Sequence, residues 1–158
     1  MKKCIALIIL AFNLVFAGCT SNDLLDQLPE KISDFVQEYF PGQDVSTAEF
    51  GDDGTYMVRL RNSVMLTFDK QNNWQSVNGY GSTLPQMFLF DQLPPALYQY
   101  LQEMESVNGV YGVVRDSRLY RVELKNQSLL YNISDGSITI PANPAQLRSL
   151  FRIPDESH

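Results

Sequence analysis

Apolar residues recur at helical spacing from Leu28 through Ile32, Phe35, Val36, Tyr39 and Phe40, with polar residues between them. The stretch Leu28–Phe40 therefore reads as an amphipathic helix. Pro29 suits its first position, where the missing N–H would be unpaired anyway. Glu30 meets the positive end of the helix dipole, and Pro41-Gly42 stops the helix. The same pattern returns 65 residues later from Leu93-Pro94. Ile32 then matches Leu97, Phe35 matches Tyr100, Val36 matches Leu101 and Tyr39 matches Met104, while Gln37-Glu38 recurs as Gln102-Glu103.

After each helix the period switches to alternation. In the first copy Asp44–Phe50, Tyr56–Leu60, Val64–Phe68 and Trp74–Val77 read as four short strands, separated by turns at Asp52-Asp53-Gly54, Arg61-Asn62-Ser63 and Asp69–Asn73. In the second copy the strands are Val107–Val114, Tyr120–Leu124, a segment around Leu129–Ile133, and Ile138–Ile140. A one-residue insertion after Asn126 is expected, so that Leu129, Tyr131 and Ile133 match Val64, Leu66 and Phe68. Without it every later side chain would change face.

Two such copies predict an α+β fold: tandem helix-plus-four-strand repeats, with the strands in one antiparallel sheet and the helices on one face. The expected organisation is a signal over 1–18, a tether over 19–27, repeat 1 over 28–83, a connector over 84–92, repeat 2 over 93–141 and an extension over 142–158. The extension includes a short helix, Ala145–Phe151, capped by Asn143. The connector is unusually apolar (Leu84 to Phe90), so it is expected to pack across the repeat junction. The helices leave the other sheet face bare. Its residues would be Met57, Arg59, Met65, Thr67, Arg121, Glu123 and Asn132.

The amino-terminal region carries an address. Lys2 and Lys3 precede the apolar run Ile5–Phe16, and Ala17-Gly18 precede Cys19. That order is the pattern of a bacterial lipoprotein signal, with Cys19 as the expected lipidated residue. Val15-Phe16-Ala17 also fits the small-x-small cleavage site of ordinary secretion, which would leave Cys19 a lone thiol. The run is short against the roughly 20 residues that cross a bilayer, and several acyl chains on one cysteine would anchor stably. Thr20 after Cys19, with no acid there, favours the outer membrane. Cys4 leaves with the signal, so no cysteine remains for a disulfide and the fold must rest on its core.

Of the 158 residues, 12 are Lys or Arg and 18 are Asp or Glu, a formal charge of −6 that becomes −8 once Lys2 and Lys3 are removed. Scattered cations in an acidic chain give no nucleic-acid footprint. They give no help toward anionic lipid either, leaving the acyl chains as the expected membrane contact. Catalysis is not expected, because the single histidine is His158 at the chain end, where nothing can hold an imidazole in place. Asp69–Asn73 begins like a calcium loop but has Trp74 where glycine is required and Tyr80 where the bidentate Glu should stand. No metal or cofactor is expected. Trp74, Tyr80, Tyr98 and Tyr111 are the aromatic candidates for surface anchors.

The run Leu-Pro-x-x-Ile-x-x-Phe-Val ending in Tyr39-Phe40-Pro41-Gly42, followed by Tyr56–Leu60, Phe68-Asp69 and Trp74, resembles the PepSY-like, beta-lactamase-inhibitor-like proteins of Bacteroides-type bacteria. The resemblance spans Leu28 to about Ile140 and is strongest in the first repeat. Two departures stand out: Asn62-Ser63 lacks the usual turn glycine, and Asn132-Ile133-Ser134 replaces the expected Phe-Asp. The resemblance implies an exported tandem domain and, by looser analogy, a sheet face that binds a protein. The expected function is thus a non-catalytic envelope lipoprotein whose open face holds an envelope or secreted protein. The alternative is a small-ligand module using a groove between repeats, lined by Met87, Phe88 and Phe90.

Overall fold

The computed structural model describes residues 23–141. Cys19 and the helix expected after Asn143 lie outside them. The elements run α1 (Asp23–Asp26), α2 (Glu30–Tyr39), β1 (Val45–Phe50), β2 (Tyr56–Leu60), β3 (Met65–Phe68), β4 (Trp74–Asn78), α3 (Gln86–Gln92), α4 (Pro95–Glu103), a 3₁₀ turn (Val107–Gly109), β5 (Val110–Arg115), β6 (Leu119–Leu124), β7 (Ser128–Asn132) and β8 (Ile138–Thr139). All eight strands form one antiparallel sheet in sequence order. The two four-stranded units join because β4 pairs with β5, with Val77 opposite Val113.

The helical stripes find the sheet. Ile32, Val36 and Tyr39 of α2 and Leu97 and Leu101 of α4 are buried in one cluster with Val58, Leu66, Phe68, Val113, Val122 and Leu129. Phe35 meets Phe68 edge-on at 5.3 Å and Phe88 at 5.9 Å. Each such side chain, fully buried, contributes about 1.5–3 kcal/mol.

Two segments between the repeats and the chain start are more ordered than their composition suggested. Residues 23–26 of the expected tether form a helical turn, and Leu25 and Leu28 are buried. The connector contains α3, a seven-residue helix with Phe88 and Leu89 buried. An apolar run this short has no readable period, so helix and buried extended segment look alike in sequence. The chain enters α3 through a tight turn at Gly79. A Cβ there would lie 1.9 Å from the Ser82 carbonyl oxygen, so only glycine fits.

The second repeat differs from its expected alignment. Tyr131 lies opposite Tyr120 and Leu129 opposite Val122, as Phe68 lies opposite Tyr56 and Leu66 opposite Val58. Tyr131 thus corresponds to Phe68, and the expected matches of Leu129, Tyr131 and Ile133 to Val64, Leu66 and Phe68 are displaced by two residues. The cause is a shorter turn. In repeat 1 the Leu60 N–H donates to Val64 O, whereas in repeat 2 the Leu124 N–H donates to Gln127 O, one residue sooner. A deletion restores the inward parity as well as an insertion would. Ile133 therefore falls beyond β7 and is 44% exposed.

Turn carboxylates fix the strand ends. Asp69 accepts from the Gln71 and Asn73 N–H groups at 2.9 and 2.8 Å, and Asn73 Nδ2 donates to its second oxygen. Partial burial raises the Asp69 pKa, but the bonds from Asn73 and Gln71 outweigh it and hold the carboxyl below its ordinary range.

Candidate functional site

Strand register builds the bare face in two rows. One runs Glu49, Met57, Thr67, Ser76, Val114, Arg121, Leu130 and Thr139 from β1 to β8. The other runs Thr47, Arg59, Met65, Asn78, Gly112, Glu123 and Ser128. The residues expected on this face from alternation all sit in or beside these rows, and Asn132, two positions beyond Leu130, ends β7 on the same side.

The rows divide into unlike halves. In the first repeat Met57, Arg59 and Met65 come together with Thr47, Glu49 and Tyr80 around a shallow depression of about 270 Å³. Met57 is 43% exposed and Tyr80 58% exposed. Tyr80 is steered there by backbone: its φ is +46°, and its N–H donates to Asn78 Oδ1 at 2.8 Å. Its ring then lies 5.5 Å from the Arg59 guanidinium, within cation–π reach. Thr67 is half-buried between Met57 and Ser76.

The second half is closed by comparison. Arg121 Nη2 pairs with Glu123 Oε1 at 2.8 Å, and the Arg121 side chain is only 13% exposed. Leu130 is buried on the same side. Asn132 does not join these residues. Its Oδ1 accepts from Ser134 N–H and Oγ, which makes it a turn residue at the sheet's end.

Sequence reasoning missed Thr47 and Glu49, because β1 alternates poorly and a bulge between Val45 and Thr47 shifts its register. The only signal was their spacing of two. The aromatic candidates also separate: Trp74 is core, Tyr98 packs against Phe90 at 5.5 Å, Tyr111 is half-buried, and Tyr80 alone stands on the bare face. Met87 and Phe90 are exposed while Phe88 is fully buried, so these three do not line one groove.

A family model described as "Putative beta-lactamase-inhibitor-like, PepSY-like" matches residues 24–72 and again residues 54–139. The chain belongs to this PepSY-like family. The overlapping double match agrees with the tandem units seen in the sheet. Among solved structures, a protein from Bacteroides vulgatus described as a "putative periplasmic protein from DUF2874 family" is 25% identical, with a TM-score of 0.64, covering 74% of this chain and 92% of that one. A protein described as a "putative calcium-regulated periplasmic protein", from Bacteroides thetaiotaomicron, matches with the same identity, score and coverage. A third, from Bacteroides vulgatus and described as a "putative periplasmic protein of unknown function", is 18% identical with a TM-score of 0.59, over 74% of this chain and 94% of that one, and shows the shared fold. No curated protein matches. Its homologues are described as periplasmic, so the PepSY-like chain is of an exported kind, in a family described by inhibitor likeness.

Proposed function

We propose that the protein is a non-catalytic envelope lipoprotein that binds a protein partner through the first-repeat half of its bare sheet face. The observation that carries this reading is the cluster of Met57, Arg59, Met65, Glu49 and Tyr80 on a rigid sheet, with both methionine and aromatic surface around an oriented cation. Aromatic, Met and Arg side chains are the types enriched in protein interfaces. A strand scaffold supplies them at little further ordering cost, since their backbone is already fixed. The inhibitor likeness of the family points to the same class of partner, an envelope or secreted protein.

One relative is described as calcium-regulated, but here Asp69 is engaged by the backbone of its own turn. Among the described residues no three His, Cys, Asp or Glu side chains converge. Anchoring through acyl chains on Cys19, in the outer membrane, completes the reading, and it rests on the signal motif. Co-purification from crosslinked envelopes tests the face: a Met57→Glu/Arg59→Glu variant should lose the partner that the wild type enriches. Equal enrichment by both would sink the assignment.

A further inference from the structure

A second concavity, of about 310 Å³, opens on the helical side where the repeats meet. One wall is α2. The other is the β3–β4 turn, the end of α3 and Arg115 at the end of β5. Its floor is Trp74, held by a chain of hydrogen bonds: Nε1 donates to Gln92 Oε1 and Gln92 Nε2 donates to the Tyr39 hydroxyl, both at 2.7 Å. The Arg115 guanidinium sits over that floor, its carbon 4.0 Å from the indole centroid, with Nε donating to the Trp74 carbonyl at 2.8 Å. Its one further bond, to the Tyr120 hydroxyl, is long at 3.4 Å.

Charge in this cleft is held apart. Lys31 and Arg115 line it together with Asp34 and Glu38. Yet the ion pairs among the described residues are Arg61–Asp44, Arg118–Asp116 and Arg121–Glu123, and none joins these four. Lys31 instead donates to Asn73 Oδ1 and lies near enough to Asp69 to help hold that carboxyl low. A pinned guanidinium is a ready hydrogen-bond donor to a carboxylate, because its planar fork loses little freedom on binding. A simple anion would meet Asp34 and Glu38 as like charges. A ligand carrying both signs meets neither penalty.

We propose that this cleft binds a small zwitterion, an amino acid or short peptide. Its carboxylate lies on Arg115 and Lys31, its ammonium faces Asp34 and Glu38, and its aliphatic part rests against Phe35. The volume agrees, since it lies at the lower end of the roughly 300–1,000 Å³ of ligand sites. This places a small-ligand site at the repeat junction, lined on α3 by Gln92 and not by the exposed Met87 and Phe90.

Trp74 is the only tryptophan of the chain, so its emission reports on this cleft alone. Titrating the purified protein with the dipeptide Ala-Ala is expected to shift that emission saturably. N-acetyl-Ala-Ala, without the ammonium, and Ala-Ala-amide, without the carboxylate, should each bind at least about tenfold more weakly. Arg115→Gln should weaken Ala-Ala comparably. Because that change also removes a bond to the Trp74 carbonyl, Lys31→Gln and Asp34→Asn, which leave it intact, should each weaken binding too. Alanine binding as tightly as Ala-Ala assigns the site to free amino acids, and tighter Ala-Ala binding assigns it to peptide ends; both support the proposal. Absence of any saturable response to Ala-Ala and alanine, or equal affinity for the three dipeptide forms, overturns it.

Discussion

Arg59 holds its guanidinium 5.5 Å from the ring centroid of Tyr80, a residue that reaches it only through a left-handed backbone. The pair orients a cation on the exposed half of the bare face. Tyr80→Ala should leave stability within about 0.5 kcal/mol in urea unfolding, because the ring is mostly exposed. It should nonetheless weaken partner binding by about 1 kcal/mol or more, as loss of an aromatic–Arg anchor does. A stability loss larger than the binding loss would make the pair structural.

Phe88 and Met87 are neighbours on α3 with opposite fates. Phe88 is fully buried and touches Phe35, Tyr39 and Trp74 through its ring. Phe88→Ala should therefore cost about 3–5 kcal/mol. Met87→Ala should stay within about 0.5 kcal/mol. Comparable small effects for both, by thermal or urea unfolding, would mean that α3 is not part of the core.

Ser63 adopts a φ of +73°, a left-handed conformation that favours glycine. The left-handed conformation costs a side-chain-bearing residue about 1–2 kcal/mol, and glycine gives back part of that gain in unfolded-chain entropy. Ser63→Gly should raise stability by up to about 1 kcal/mol. A clear loss would show that the Ser63 side chain has a role of its own.

Stability should fall at both ends of the pH range. Asp69 is held below its ordinary 3.8 in the fold, so its contribution is present above that value and lost as pH drops through the folded pKa. Asp69→Ala should cost about 1–2 kcal/mol at neutral pH and flatten the acid limb. Tyr39 is raised above its ordinary 10.0, first by burial and then by Glu38 and Asp91, against the Gln92 bond. Its contribution persists up to that value and is lost as pH rises through the folded pKa, so Tyr39→Phe should flatten the alkaline limb. Unchanged pH profiles in the variants would refute these assignments.

The address is testable apart from the fold. Cys19→Ala should move the protein from the membrane fraction to the soluble envelope fraction. Persistent membrane association would remove the lipid anchor from the account.

The duplicated helix and the alternation in β2, β3 and β6 were legible because each buries one clean stripe, such as Ile32, Val36 and Tyr39 or Val58 and Leu60. Those stripes also yielded the bare face by subtraction. The turn after β6 was not legible, since an inserted and a deleted residue restore the same parity and only the Leu124–Gln127 hydrogen bond tells them apart. Nor could sequence show that Arg121 and Glu123 pair on the closed half, or that Asn132 caps a turn. Tyr80 joined the site through a backbone conformation that no periodicity encodes.

Photocrosslinking in living cells tests the binding face most directly. A photoreactive residue placed at Met57 or Met65 should give a discrete adduct with another envelope or secreted protein, lost when Arg59→Glu is added. The same residue at Gln102, exposed on α4, should give none. Adducts from Gln102 with nothing from positions 57 and 65 would contradict the account and move the interaction to the helical side.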